Sequence, residues 1–140
     1  MHTYTLKIQD GEGYEAIIAI SGNINLHGLA EHIIDTIGFD LDHAFGFYDN
    51  LRNPHKSSEA YTLFADMEEA DDDGSLSVNR THIEEVFEKG KKMIFLFDYG
   101  DDWQFLLTCK DVEPVTSKRK VRKVLSQKGT PPEQYPDWEE

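Results

Sequence analysis

Residues 91–109 read KKMIFLFDYGDDWQFLLTC, two apolar runs around a turn that carries three carboxylates and a tryptophan. On the first run Met93, Phe95, Phe97 and Tyr99 share one face and Ile94 and Leu96 the other, while Trp103, Phe105, Leu107 and Cys109 share a face of the second. A period of two is that of a strand, whose successive side chains leave on opposite sides. The segment predicts a β-hairpin, with Gly100 supplying freedom in φ and Asp101 and Asp102 bonding their own backbone in the reversal.

Upstream, Tyr4, Leu6 and Ile8 alternate with polar neighbours, Asp10-Gly11-Glu12-Gly13 turns the chain, and Glu15 to Ile20 alternates again, which predicts a first hairpin. Leu26, Leu29, Ala30, Ile33, Ile34 and Ile37 then recur at steps of three and four. Asn25 precedes them as an N-cap and Gly38 follows as a stop, so an amphipathic helix is expected there. Phe45, Phe47 and Tyr48 predict a short strand, residues 50–58 a polar loop, and Tyr61 to Ala65 a brief element. The acidic run Asp66 to Gly74 reads as a solvated loop. Ser77 or Asn79 would cap a second helix through Ile83, Val86 and Phe87 that stops at Gly90. Beyond Pro114, Val121, Val124 and Leu125 suggest a helical face, and Pro131, Pro132 and Pro136 an extended tail.

These segments predict an α+β fold: a two-layer domain with a mainly antiparallel sheet of about five strands, helices packed on one face, and a β-grasp-like order. Residues 1–115 are expected to form the single α+β domain, and residues 116–140 a basic, then proline-rich C-terminal extension of it. The length of 140 residues suits one domain.

The formal net charge is −13, which makes a phosphate backbone a poor partner for the chain as a whole. The basic residues are clustered, however, with Lys118, Arg119, Lys120, Arg122 and Lys123 in one short segment, residues 118–123, and Asp66 to Asp73 forming an opposite run. Lone Cys109 lies on the inward face of its strand and reads as a small buried hydrophobe. No leader and no apolar run of membrane-spanning length is present, so a cytoplasmic protein is expected.

No catalytic signature stands out: there is no GxSxG, no P-loop, no HExxH and no paired cysteines of zinc spacing. The acidic run resembles a calcium loop at Asp71, Asp73 and Gly74, but Arg80 stands where a bidentate glutamate must close the shell. Neither a cofactor nor a metal is therefore expected. The candidate binding residues are those of the turn, Asp98, Tyr99, Gly100, Asp101, Asp102 and Trp103, joined by His43, which lies between the first helix and the Phe45 strand. Three readings follow. The leading one is a non-catalytic interaction module whose partner is another protein or a second copy; the alternatives are a metal-assisted hydrolase built on Asp98, Asp101 and Asp102, and a nucleic-acid accessory protein acting through residues 118–123.

The motif FDYGDDW, with the order hairpin, helix, His-containing strand, acidic loop, second helix and Pro-Pro-Glu tail, resembles the plasmid pRiA4b ORF-3-like family, passenger proteins of mobile elements. The hallmark positions fall at Asp98, Tyr99, Gly100, Asp101, Asp102 and Trp103. Of the family's His-Leu-His-like segment this chain keeps only His43, and Gln104 and Phe105 follow the tryptophan where relatives often carry a charged residue and a histidine. The resemblance implies an α+β domain and an association with plasmids or transposons, and it assigns no reaction.

Overall fold

In the computed structural model the described residues are 2–66, 75–116 and 118–135. The predicted first hairpin forms from β1 (His2–Gln9) and β2 (Glu15–Ser21), paired antiparallel. Asp10 closes it, its Oδ1 accepting from the amides of Glu12 and Tyr14 at 2.8 and 3.0 Å. α1 (Leu26–Ile37) has the predicted bounds. Asn25 Oδ1 accepts from the Gly28 amide at 2.8 Å, and Gly38 leaves the helix at φ +81°, a left-handed value that costs glycine little.

β3 (Phe45–Tyr48), β6 (Lys92–Phe97) and β7 (Trp103–Pro114) follow the expected alternation. β6 and β7 pair Phe97 with Trp103, Phe95 with Phe105 and Met93 with Leu107, the register that the inward faces demand. The α1 stripe, the inward residues of β1 and β2, and the phenylalanines of β3, β6 and β7 form one hydrophobic cluster. Phe45, Phe47, Phe95, Phe97 and Phe105 are each at most 1 % exposed. Burial of such side chains contributes roughly 1.5–3 kcal/mol each.

The architecture corrects the expected fold class. Among the described residues the sheet has eight strands rather than five, in the order β5 (Leu76–Ser77), β4 (Ala60–Thr62), β3, β6, β7, β1, β2 and β8 (Arg122–Lys128), which is not a β-grasp-like order. It is mixed, because β4 (Ala60–Thr62) and β5 (Leu76–Ser77) run parallel at one edge. Among the described residues α1 is the one long helix. The expected second helix is reduced to a single turn, α2 (Ile83–Val86), because Ser77 belongs to β5 and His82, not Ser77 or Asn79, opens the turn. Glu85 Oε2 accepts from the His82 amide at 2.6 Å and fixes that start.

The second correction concerns Val121, Val124 and Leu125. Val124 and Leu125 belong to β8 (Arg122–Lys128), Val121 directly precedes it, and none of the three is in a helix. β8 pairs antiparallel with β2 from Ile20↔Arg122 to Glu15↔Lys128, with a register shift between Ile17 and Ile18. Ser21 anchors its start: the Ser21 amide donates to Val121 O at 2.9 Å, and the Val121 amide to Ser21 Oγ at 2.6 Å. Without β8, the buried β2 would end the sheet with its backbone groups open, and filling that row outweighs the local 3–4 spacing. The expected C-terminal extension thus supplies a strand. Asp71, Asp73 and Gly74 of the calcium-like loop, most of the acidic run and Trp138 lie outside the described residues.

Candidate functional site

The β6–β7 turn does not work as expected. Gly100 is not the residue with positive φ; Asp98 at +61° and Asp102 at +55° take the left-handed conformation instead. Aspartate tolerates that region because its short side chain bonds locally. Asp98 Oδ1 accepts from the amides of Gly100 and Asp101 at 3.2 and 3.3 Å, and the Asp102 amide donates to Asp98 O at 2.6 Å. Asp98, only 6 % exposed, is the internal brace of the turn. Its amide donates to Ala44 O at 2.9 Å, which ties the turn to the start of β3.

That tie brings His43 to the turn. His43 Nε2 lies 3.6 Å from Asp98 Oδ2, and Nδ1 donates to Asp42 Oδ1 at 2.7 Å. The next two members, Gln134 and Tyr135, arrive from the ending Pro131-Pro132-Glu133-Gln134-Tyr135, whose composition is compatible with a tail docking on its own domain but does not say where. Tyr135 donates its hydroxyl to Asp42 Oδ2 at 2.8 Å. Gln134 accepts from the Asp40 amide at 2.7 Å and donates to Asp40 O and Asp42 Oδ1 at 3.1 and 3.0 Å. Gln134 is 9 % exposed, so the tail docks on the loop after α1 through a buried amide. A glutamine and a tyrosine just past a Pro-Pro pair were the only sequence signal, and nothing local in it pointed to residues 40–42.

The electrostatics are consistent with the distances. The Asp42 hydrogen bond, opposed by loss of hydration and helped by the charges of Asp98, Asp42 and Asp101, holds His43 above its ordinary value of 6.5. Asp42 is held below the usual carboxylate range by the Tyr135 and His43 hydrogen bonds. The Tyr135 hydroxyl is pushed up to about 12, chiefly by donating to Asp42. Both His43 nitrogens face carboxylates, an arrangement suited to an imidazolium with two donors.

The remaining predicted residues take other roles. Tyr99 turns its hydroxyl to that of Tyr48, 2.6 Å away, and its ring to Phe64. Asp102 Oδ1 accepts from Gln104 Nε2 at 3.0 Å. Trp103 is half-buried rather than fully buried, stacked on Phe105 and edge-on to Phe39. Its indole Nε1 is buried without a hydrogen-bond partner among the described residues. Asp98 Oδ1 is turned to backbone amides and Asp102 Oδ1 to Gln104, and no group of three or more metal-ligating side chains forms among the described residues. Cys109 is buried, its thiol pushed up to about 11 by burial.

Beside His43 opens a shallow cleft of about 530 Å³, lined by His27, Leu41, Asp42, His43, Phe45 and Leu63 among others. Leu41 is 37 % exposed at its rim. The basic segment lies elsewhere, along the start of β8, where Arg122 reaches Asp35 at 3.1 Å and Glu31 at 3.9 Å on α1.

Residues 13–138 match the model of the family described as plasmid pRiA4b ORF-3-like protein. The chain belongs to that family. Its fold is similar to the crystal structure of a protein of unknown function from Methanosarcina mazei Go1, with a TM-score of 0.69 and 16 % identity over 90 % of this chain and 69 % of that one. No curated protein matches the chain. Among the described residues of this pRiA4b ORF-3-like protein, no helix is long and apolar enough to cross a membrane.

Proposed function

We propose that this protein is a non-catalytic interaction module of a plasmid or mobile element. It works in the cytoplasm and recognises a protein partner at the end of the sheet where the β6–β7 turn meets His43. The observation that carries this reading is that both nitrogens of His43 face carboxylates, Asp42 on one side and Asp98 on the other. With Nδ1 bonded to Asp42 and Nε2 beside the Asp98 carboxylate, the ring is placed to bridge two carboxylates. It is suited to holding a shape and a charge.

The surface it holds is acidic at Asp42 and Asp101 and apolar at Leu41 and Leu63. Such a surface fits a segment that presents an apolar side chain next to lysine or arginine, with charge setting orientation and the apolar contact setting affinity. The family match to a plasmid-borne protein and the lone thiol support the cellular setting.

The test places a photo-crosslinking amino acid at Leu41 and, as a control, at exposed Lys92. In the native host the Leu41 position is expected to capture a defined polypeptide that the Lys92 position does not, with capture lost in D42N. Turnover in a hydrolase panel that H43Q abolishes would overturn the reading in favour of an enzyme.

A further inference from the structure

The two edges of the sheet differ. β5, at one end, offers two residues, whereas β8, at the other, offers seven with no strand on its outer side among the described residues. All seven β8 residues are exposed, including Val124 at 43 % and Leu125 at 54 %. An edge of this length is a template for another extended chain, because it presents its outward backbone groups as a row. At its start lies a cleft of about 480 Å³ lined by Val115 and Val121 together with Arg119, Lys120, Arg122 and Lys123.

Charge decides what the edge admits. Arg122 is paired with α1, but the side chains of Lys118, Lys120 and Lys123 have no ion-pair partner among the described residues. Two copies of β8 placed edge to edge would bring these cations together, which disfavours self-pairing. An acidic strand would meet them with opposite charge. Lysines and the register shift against β2 would suffice to protect an edge from its own copies, but protection alone does not account for two exposed aliphatic side chains and a valine-lined cleft beside the cations.

We propose that β8 is a second recognition surface, distinct from the His43 cleft, which binds an acidic, extended segment of a partner protein as a ninth strand. Backbone hydrogen bonds to β8 supply affinity. Lys118, Lys120 and Lys123 select for glutamate and aspartate, and Val124 and Leu125 favour β-branched residues between the acids.

The test uses the full chain and a fluorescein-labelled ten-residue peptide of alternating glutamate and valine at physiological salt. Saturable binding is expected, with amide-signal changes concentrated on residues 122–128, and a version with two central prolines should not bind because it lacks the required N–H groups. K120E/K123E, at exposed positions that should leave the melting temperature unchanged, is expected to weaken binding roughly tenfold or more. Equal binding of the proline peptide would overturn strand addition in favour of simple charge attraction. Tighter binding of a DNA oligonucleotide at the same salt, lost in K120E/K123E, would assign the surface to nucleic acid. A concentration-dependent dimer abolished by mutating Val124 and Leu125 would assign it to a second copy, and absence of any peptide binding would refute the proposal.

Discussion

Tyr135 donates its hydroxyl to Asp42 at 2.8 Å, and through that carboxylate the C-terminal tail sets the environment of His43. This arrangement raises the pKa of His43, so a ring-proton titration should place its midpoint above 6.5. In D42N the midpoint should fall back toward 6.5, since the largest cause of the shift is gone. A raised pKa stabilises the fold below the unfolded value, and that contribution disappears as pH rises through the folded value. Y135F should raise the pKa of Asp42 toward that of an ordinary carboxylate.

His32 should behave in the opposite sense. It is 5 % exposed, its Nε2 lies 3.0 Å from Lys123 O, and burial holds it below 6.5, with that carbonyl opposing the shift. A depressed histidine contributes stability above the unfolded value, and this is lost as pH falls from about 6.5 through the folded value. The stability advantage of the wild type over H32Q should therefore shrink between neutral and mildly acid pH, measured by thermal melting at each pH.

Asp98 combines a left-handed backbone with two amide bonds to its side chain. D98A should lose about 1–3 kcal/mol in urea denaturation, since alanine tolerates positive φ poorly and leaves those amides without an acceptor. D98N keeps an acceptor and a residue at home in that region, and should lose under about 1 kcal/mol. If D98A and D98N proved equally stable, the bracing role of the side chain would be wrong.

Trp103 stacks on Phe105 while its indole N–H is unpartnered. With Trp138 replaced by phenylalanine, its emission should be blue-shifted from that of free tryptophan and only partly quenched by acrylamide. W103A should cost about 3 kcal/mol. W103F, which keeps a ring and removes a donor that has no acceptor, should cost less than about half of that.

The parts of the fold that were legible in the sequence are those whose pattern is fixed by burial on one side. α1 was readable to the residue because six apolar positions, an Asn25 cap and a Gly38 stop all agree. The β1–β2 and β6–β7 hairpins were readable because their alternation is strict. β8 was not, since an exposed edge imposes no apolar period, and what makes it a strand is the distant need of β2 for a partner. β5 consists of two residues, too few for any period. Within the site, the place of His43 in the chain order pointed correctly to the turn. That the tail could dock was legible, but the partners of Gln134 and Tyr135 were not, because they lie 92 to 94 residues away in the chain. The turn misled in one respect: the glycine drew the inference, and two aspartates took the unusual backbone.

The strand that pairs with β2 is made long after it. β1 and β2 precede β8 by about a hundred residues, yet Ile18 and Ile20 lie on a strand whose outer row is answered by residues 121–128. Until synthesis has reached Lys128 the nascent chain carries a bare, isoleucine-rich border, the kind of surface that captures neighbouring chains. A version halted near residue 116 would keep that border permanently, so premature termination or proteolysis there should yield aggregates rather than a smaller working protein.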